Sequence, residues 1–262
     1  MFGQARTAQN CPFCKQVHQM LIPGVVMRNP MVSTAADTVP DQGYSFCNCK
    51  NIFFTDWSNI NQKVYNEDYT TKYDTEIVLK MVAEFADRYL PEFIETQGKS
   101  FVEIGAANTF VLDLAKERGW ETTGVDINTT SPIAKKHNCI IGNVEDKSTV
   151  VRMPMADVIW ASHIFEHFKE PLTVAKNMYN ILNPGGYLLI AMPDPWFIDW
   201  SNPLNWGHWH VREHHILWDM DSFIDELLPM GYELHLAKRN TLKYLCRGDM
   251  HLIFRKPCES KD

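Results

Sequence analysis

The sequence predicts an α/β fold in which a doubly wound parallel sheet follows a small N-terminal zinc-binding module. Strand-like and helix-like segments alternate from residue 99 onward, a glycine turn follows the first strand, and two close cysteine pairs lie near the N-terminus. Such alternation indicates a parallel sheet, because each crossover helix covers one of its faces. We therefore divide the chain into the module (1–58), a helical connector or lid (59–98) and the α/β domain (99–262).

The composition is that of an ordinary globular protein. The chain has 262 residues, 45% of them hydrophobic and 22% charged, which is enough for one core with a small appendage. The net charge of −7 disfavours nucleic acid as the main partner. No apolar run reaches the roughly 18 residues that span a bilayer, and the N-terminus has no apolar stretch of signal-peptide length. We therefore expect a cytoplasmic protein with no membrane partner.

Two cysteine pairs indicate a metal site in the module. Cys11 and Cys14 lie in "CPFC", and Cys47 and Cys49 lie in "FCNC". Two close pairs are typical of the knuckles of a zinc ribbon, in which four thiolates hold a tetrahedral ion. The second pair has one intervening residue where two are usual, so His18 is an alternative ligand and four buried thiols are an alternative interpretation.

The periodicity of apolar residues predicts the elements in order. Residues 59–98 have helical spacing, and Pro91 and Gly98 end that segment. Five buried strands are predicted at 100–105, 121–127, 139–144, 156–162 and 187–193. Helices are predicted at 108–119, 171–182 and 221–231, and two further strands at 232–239 and 249–256 that pair at the sheet edge.

The turn after the first strand is suited to a nucleoside ligand. Gly105 permits backbone angles closed to other residues, and Ala106 and Ala107 keep the turn uncluttered, so a ligand can approach the main chain. Asp126, at the end of the second strand, can accept both hydroxyl protons of a ribose. A dinucleotide fingerprint has three glycines, and this turn has one, which favours a nucleoside without pyrophosphate. The alternatives are a loop-bonded buried acid for Glu103 and a helix cap for Asp126.

Five stretches resemble the class I methyltransferases that depend on S-adenosylmethionine: "VEIGAANT", "GVDI", "GNVED", "ADVIWASHIFEHFKEP" and "LNPGGYLLIAMPDP". They come in that family's order and spacing and cover residues 99 to about 256. The resemblance implies a Rossmann-like methyltransferase sheet with S-adenosylmethionine as cofactor. The cofactor-binding residues that it implies are Glu103, Gly105, Ala106, Ala107, Asp126, Ile127, Asn143, Val144, Glu145, Ser162 and His163.

The N-terminal part extends this resemblance. "FCNCKNIFF" and "VYNEDYTTKY" resemble the cysteine knuckle and tyrosine-rich segment that precede such domains in bacterial methyltransferases acting on sugars or natural products. In those relatives a zinc-ribbon-like module covers the substrate. The resemblance places Tyr65, Tyr69 and Tyr73 where they close over the methionine part of the cofactor, and helix packing is the alternative role.

The stretch "SHIFEHF" has the His163-x-x-Glu166-His167 spacing of an inverted zinc protease. It follows a buried strand and stops at Pro171, whereas the protease motif lies within a long helix. We therefore interpret it as the loop at the ligand-binding edge of an α/β sheet. A histidine with a near-neutral pKa suits a general base, so His163 and His167 are predicted catalytic residues.

Residues 194–219 are rich in Trp and His and are predicted to form a substrate loop above the sheet. The methyltransferases that this chain resembles have a His-x-Arg pattern in this loop, and His210 and Arg212 match it. His210 is therefore a third candidate base. Tryptophan rings stack on sugar faces, and an arginine binds phosphate or carboxylate. The predicted substrate-binding residues are Trp196, Trp206, Trp209 and Arg212. The alternatives are a packed aromatic cluster and a second metal site made from His208, His210, His214 and His215.

The sequence therefore predicts methyl transfer from S-adenosylmethionine to a small-molecule acceptor. A sugar or nucleotide-sugar, at a hydroxyl, amine or carbon, is the first choice. Alignment of the acceptor with the methyl group supplies much of the rate of such a reaction. An RNA or protein methyltransferase and a non-catalytic methyltransferase-like binding module are the alternatives.

Overall fold

The structure, a computed structural model, describes residues 9–11, 16–18, 20–27, 36–47, 49–54, 88–89, 100–106, 110–127, 137–201, 206–208, 213–242 and 247–258. The strands are β1 (Gln9–Asn10), β2 (Val17–His18), β3 (Met20–Met27), β4 (Ala36–Phe46), β5 (Ile52–Phe54), β6 (Ser100–Ile104), β7 (Glu121–Asp126), β8 (Ile140–Ile141), β9 (Ala156–Ser162), β10 (Leu182–Pro193), β11 (Ile216–Leu217), β12 (Glu233–Leu242) and β13 (Arg247–Arg255). The helices are α1 (Phe110–Glu117), α2 (Lys147–Val150), α3 (Pro171–Ile181) and α4 (Met220–Leu227). Short 3₁₀ turns lie at Phe165–His167, Pro195–Phe197 and Leu228–Met230.

A seven-stranded sheet confirms the predicted fold class. Its order is β12-β13-β10-β9-β6-β7-β8. The five strands from β10 to β8 run parallel, whereas β13 is antiparallel to both β10 and β12. From β6 the chain proceeds outward through β7 to β8 and then crosses to β9 on the other side of β6. Open α/β sheets bind ligands at the carboxyl ends of the strands beside such a switch point.

Alternate residues of the central strands enter two separate cores, one on each face of the sheet. Phe101 and Trp160 pack on the face covered by α1, together with Tyr89. Val102 and Ile159 pack on the opposite face, which is covered by α3 and α4. This alternation is the two-residue period of a strand, and burial on both faces explains why the strands are continuously apolar in sequence.

The N-terminal sheet has the order β11-β5-β4-β3, so it includes a strand from the predicted substrate loop. β11 pairs antiparallel with β5. The turn before β5 also contacts the start of α4: the Asn51 side chain accepts a hydrogen bond from the Asp219 amide at 2.9 Å, and the Ser222 hydroxyl donates to the Cys49 carbonyl. The N-terminal segment is thus joined to the α/β domain by backbone pairing and by side-chain hydrogen bonds.

Some element boundaries differ from the prediction. The strand predicted at 139–144 is reduced to Ile140–Ile141, because the Asn143 side chain accepts a hydrogen bond from the Glu145 amide at 3.0 Å and forms a turn. The short helix α2 that follows was not predicted. The helix predicted at 221–231 ends at Leu227 and continues as a 3₁₀ turn, where Pro229 has no N–H to donate.

The predicted connector at 59–98 lies outside the described residues except for Arg88 and Tyr89, which are helical. In the part of the chain that the structure describes, no helix combines the length and the apolar character required to cross a membrane.

Candidate active site

The turn after β6 is a tight glycine turn that packs against the turn after β9. Gly105 has φ of +78°, in the region that favours glycine, and its N–H donates to the Val125 carbonyl at 2.8 Å. A Cβ atom at Gly105 would lie 3.0 Å from Cδ1 of Ile164. The turn after β6 therefore packs directly against the turn after β9, with no room for a side chain between them. Ala106 is buried behind this turn.

Glu103 is a buried acid on β6. It is 6% exposed, and its Oε2 atom has no hydrogen-bond partner among the described residues. Burial, reinforced by the nearby charges of Asp126 and Asp113, raises the pKa of Glu103 to about 8. A buried carboxylate with an unpaired oxygen is costly, and a cation beside it would offset that cost. The ammonium group of a methionine moiety is such a cation, so Glu103 fits the predicted cofactor.

Asp126 stands at the carboxyl end of β7, where a ribose-binding acid is needed. Its carbonyl accepts a hydrogen bond from the Gly142 amide at 2.8 Å, which brings the 142–145 turn beside it. Its side chain is half-buried, and the following Ile127 is 38% exposed. The second strand therefore ends in a partly exposed acid and an exposed apolar side chain.

The predicted adenine residues form a tight turn. The Asn143 side chain donates to Glu145 Oε2 at 3.2 Å, and Glu145 Oε1 accepts a hydrogen bond from the Glu170 amide at 2.7 Å. Val144 is 3% exposed and belongs to the core. The side chains of this turn therefore hold the turn and the start of α3 in place, beside the end of β7.

Ser162 and His163 follow one another at the carboxyl end of β9. Ser162 pairs with Ala191 of β10, and the His163 amide donates to the Ala191 carbonyl at 2.7 Å. His163 has φ of +50°, which is uncommon for a residue other than glycine. This backbone turns the chain sharply into the 3₁₀ turn at Phe165–His167.

The His163 ring lies between two carboxylates. Its Nε2 is 3.2 Å from Asp249 Oδ2, and its Nδ1 is 3.4 Å from Glu166 Oε1. Burial alone would lower the pKa of His163, but the two carboxylates outweigh burial and raise it to about 10. The protonated ring donates hydrogen bonds, which is the opposite of the neutral ring that a general base needs.

Glu166 is surrounded by histidines. It is 1% exposed, and its Oε1 lies 3.8 Å from Nε2 of His167 and 3.8 Å from Nε2 of His214. His167 Nδ1 donates to the Glu213 carbonyl and His214 Nδ1 to the His208 carbonyl, both at 2.9 Å. The two rings meet edge to face, with their centroids 4.8 Å apart. The turn after β9 and the segment before β11 thus form one buried polar cluster.

Asp249 on β13 is a residue of this cluster that the sequence did not reveal. It is 3% exposed, and besides His163 it contacts His208, with Oδ1 3.6 Å from the His208 Nε2. β13 reaches the cluster because it pairs antiparallel with β10, which places Asp249 opposite Pro193. The available sequence signal was an acidic residue directly before the apolar run "MHLIF".

Two of the predicted substrate-binding tryptophans lie in the described part of segment 194–219. One is exposed and the other is buried. Trp196 is 72% exposed, and the Arg239 guanidinium lies over its ring, 4.8 Å from the centroid. Arg239 also pairs with Asp194 at 3.0 Å. Trp206 is 2% exposed and packs edge-on against His208. Trp196 therefore presents an aromatic surface to solvent, and Trp206 packs inside the segment.

The structure thus brings Glu103, Gly105, Asp126, the 143–145 turn and His163 to neighbouring strand ends. Several predicted residues lie outside the described part of the chain: Cys14, Tyr65, Tyr69, Tyr73, Ala107, Trp209, His210 and Arg212.

Three of the four predicted zinc ligands come together at the tips of two hairpins. The ligand atoms of Cys11, Cys47 and Cys49 lie within 4.8 Å of one another, and the sulfurs of Cys11 and Cys49 are 3.8 Å apart. Two thiolates on a tetrahedral zinc ion, with bonds of about 2.3 Å, are also about 3.8 Å apart. The Cys49 amide donates to Cys47 Sγ at 3.3 Å, and the Asn51 amide group donates to Cys49 Sγ at 3.6 Å.

The comparisons with known proteins agree with this geometry. The sequence model of the family described as "Methyltransferase domain" matches residues 75–236, more than half of the chain. The search of curated proteins finds no match.

Solved methyltransferases have the same fold. A SAM-dependent methyltransferase from Archaeoglobus fulgidus is 17% identical over 72% of this chain and 98% of its own, with a TM-score of 0.54. The N-methyltransferase NodS from Bradyrhizobium japonicum WM9, in complex with S-adenosyl-L-homocysteine, is 13% identical over 77% and 98%, with a TM-score of 0.53. The plantazolicin methyltransferase BamL is 15% identical over 76% and 92%, with a TM-score of 0.56. Because the family model matches more than half of the chain, the chain belongs to the methyltransferase domain family and is an S-adenosylmethionine-dependent methyltransferase.

Proposed function

We propose that this methyltransferase acts on a small-molecule acceptor, with a sugar or nucleotide-linked sugar as the first choice. The acceptor atom is a hydroxyl oxygen, an amine nitrogen or a carbon. Two features support this class of acceptor: the resemblance to sugar and natural-product methyltransferases, and the exposed Trp196 ring beside Arg239. An exposed indole stacks on a sugar face, and a guanidinium binds a phosphate or carboxylate.

The buried Glu103 carboxylate beside the Gly105 turn carries the cofactor assignment. Bound S-adenosylmethionine supplies an electrophilic methyl group on a sulfonium sulfur. Glu103 binds the ammonium group of the methionine part, and Gly105 supplies the backbone angles that the turn beside it requires. Asp126 binds the ribose hydroxyls, and the 143–145 turn flanks the adenine. These residues fix the position of the methyl group, and orientation supplies much of the rate.

The acceptor proton needs a base, and the candidate histidines differ in what they can do. His163, His167 and His210 are the three predicted bases. The carboxylates of Asp249 and Glu166 favour the charged form of the His163 ring, so we assign His163 an electrostatic role. His167 has Nδ1 bonded to the Glu213 carbonyl and Nε2 3.8 Å from Glu166 Oε1, so both of its nitrogens face the protein and we assign it a structural role. His210 lies outside the described segments, and its role as the base stays a prediction from the sequence.

We further propose that Cys11, Cys47 and Cys49 bind structural zinc, with Cys14 as the fourth ligand. The sulfur separation of 3.8 Å between Cys11 and Cys49 fits a shared ion, and the N–H donors to Cys47 and Cys49 stabilise thiolates. Reduced cysteines are the normal state in the cytoplasm, which is the compartment that we propose.

Methyl transfer is tested by mass spectrometry, with S-adenosylmethionine and a panel of sugars, sugar nucleotides and small phenols. We expect a product heavier by one methylene unit for a sugar or sugar nucleotide. Methylation of a phenol alone would contradict the sugar assignment. Cofactor binding without methylation of any candidate would favour the non-catalytic binding module.

Cofactor binding is tested separately, by calorimetric titration with S-adenosylhomocysteine. Asp126→Ala should lose about 2 kcal/mol of binding free energy, roughly thirtyfold in affinity, because a hydrogen bond to a charged group is removed. Asp225→Ala, on the exposed side of α4, is the matched control and should bind like the wild type. If Asp126→Ala also binds like the wild type, the ribose assignment is wrong.

A further inference from the structure

We propose that Glu166, His167 and His214 form a binding site for a divalent transition-metal ion, with zinc as the first candidate. One ligand atom from each of these residues lies within 4.8 Å of the other two. Glu166 and His167 come from the 3₁₀ turn after β9, whereas His214 comes from the segment before β11. The site is distinct from the cysteine cluster and uses a different set of donors.

The separations fit donors that share an ion better than donors that bond to each other. Glu166 Oε1 is 3.8 Å from Nε2 of His167 and of His214, which is longer than a hydrogen bond. Zinc bonds of about 2.0–2.2 Å place neighbouring tetrahedral ligands roughly 3.3–3.6 Å apart. A small inward movement of each side chain would complete such a site.

The orientation of both imidazoles suits metal binding. His167 Nδ1 and His214 Nδ1 each contact a backbone carbonyl at 2.9 Å. A carbonyl only accepts hydrogen bonds, so Nδ1 of each ring carries a proton, and Nε2, which faces Glu166, is the nitrogen that would bind a metal ion. Metal-binding histidines characteristically donate their other N–H to a carbonyl or carboxylate in this way.

The carboxylate also favours a cation. Glu166 is 1% exposed, and Oε1 faces three ring nitrogens: His163 Nδ1 at 3.4 Å and the Nε2 atoms of His167 and His214 at 3.8 Å. The charged His163 ring offsets part of the cost of burying this carboxylate, and a bound cation would offset more of it. The backbone already holds the two halves of the site together, because the His215 amide donates to the Glu166 carbonyl at 2.7 Å.

The donor set selects the kind of ion. Two imidazoles and one carboxylate suit zinc and its first-row neighbours, whereas magnesium and calcium prefer oxygen ligands only. Three protein ligands leave one position for water or a substrate oxygen, as in catalytic zinc sites. The turn that carries Glu166 also touches the cofactor turn, since Ile164 lies against Gly105.

Cobalt substitution tests the proposal on the 262-residue chain after its metal is removed with a chelator. Cobalt bound by cysteines gives thiolate charge-transfer bands, whereas cobalt bound by imidazole and carboxylate gives only ligand-field bands. We expect the wild type to show a second class of cobalt without thiolate bands. Glu166→Gln and His214→Gln should each weaken this class by at least about tenfold, because loss of an outer-shell partner alone can cost that much.

Zinc content by elemental analysis, on protein purified without chelator, gives an independent measure. Glu166→Gln and His214→Gln should each carry one zinc per chain less than the wild type. His235→Gln, an exposed histidine on β12, should keep the wild-type content. Circular dichroism and S-adenosylhomocysteine binding check that the variants fold. The proposal fails if the wild type shows no cobalt outside the thiolate class, or if both variants match it in zinc content.

Discussion

Glu103 shows how a single buried residue couples ligand binding to pH. Its pKa of about 8 in the folded chain, raised by burial and by Asp126 and Asp113, exceeds the ordinary value of 4.5. The folded state therefore favours the protonated acid. The resulting stabilisation is fully present below about pH 4.5 and is lost as the pH rises through about 8. Without cofactor, Glu103→Gln should remove this loss, and its free energy of unfolding should fall less between pH 5 and pH 8 than that of the wild type.

Chemical denaturation at several pH values measures this difference. Glu117→Gln, an exposed acid on α1, is the control and should keep the wild-type pH dependence. S-adenosylhomocysteine, whose ammonium group favours the ionised acid, should shift the dependence of the wild type to higher stability at pH 8. Identical slopes for the wild type and Glu103→Gln would show that the fold does not raise this pKa.

At the same scale, the sequence predicted residues that belong to local motifs and missed those that depend on distant pairing. Glu103, Gly105 and Asp126 were predicted because each lies at the end of a strand that its own sequence defines. Asp249 was missed because its contact with His163 depends on the antiparallel register of β13 against β10. A single sequence carries no signal for that register.

At the scale of elements, the contact of β7 with the cofactor turn depends on a glycine. A Cβ atom at Gly124 would lie 2.9 Å from the Ala106 Cβ and 2.9 Å from the Cys139 Sγ. Gly124→Ala should therefore push β7 away from the turn after β6. We expect it to destabilise the fold by about 1–3 kcal/mol, as overpacking does, and to weaken S-adenosylhomocysteine binding at least several-fold.

Gly119→Ala is the matched control for this change. Gly119 has φ of +86°, and a Cβ there meets nothing within 4 Å in the described structure, so only backbone strain of about 1–2 kcal/mol is added. Thermal denaturation should show both variants destabilised, whereas calorimetry should show weaker ligand binding for Gly124→Ala only. Equal affinity of the two variants would contradict the role assigned to Gly124.

The long elements of the domain were predictable because their burial produces long patterns. β9, α1 and α3 lie within or near their predicted bounds, since apolar runs and helical stripes mark them. The two-residue strand β11 and the four-residue helix α2 are too short to produce a pattern. Their existence depends on partners, as in the pairing of β11 with β5.

At the scale of the whole molecule, the turn that carries two cysteines of the cluster lies where the N-terminal sheet contacts the α/β domain. The turn that carries Cys47 and Cys49 contacts the start of α4 through Asn51 and Ser222. Cys47→Ser should lower zinc content and reduce the melting temperature by about 5 °C or more, because structural zinc contributes several kcal/mol. Elemental analysis and scanning calorimetry measure both effects.

Cys258→Ser, at an exposed cysteine, is the control and should change neither value. Zinc content that stays at the wild-type level in Cys47→Ser would remove Cys47 from the ligand set. The sequence predicted this cluster from spacing alone. The attachment of its turn to α4 was not predictable, because it depends on the relative placement of segments far apart in the chain.

The pairing of β11 with β5 has a consequence for how the chain reaches its native state. A ribosome releases β3, β4 and β5 early, whereas β11 emerges only after most of the central sheet has been synthesised. Until then the β5 edge presents unpaired backbone groups, which are a template for association with other chains. The β5 edge of the nascent N-terminal sheet therefore has to be shielded from other chains, or the sheet has to form late. In either case the sheet is complete only when the α/β domain has been synthesised and β11 can pair with β5.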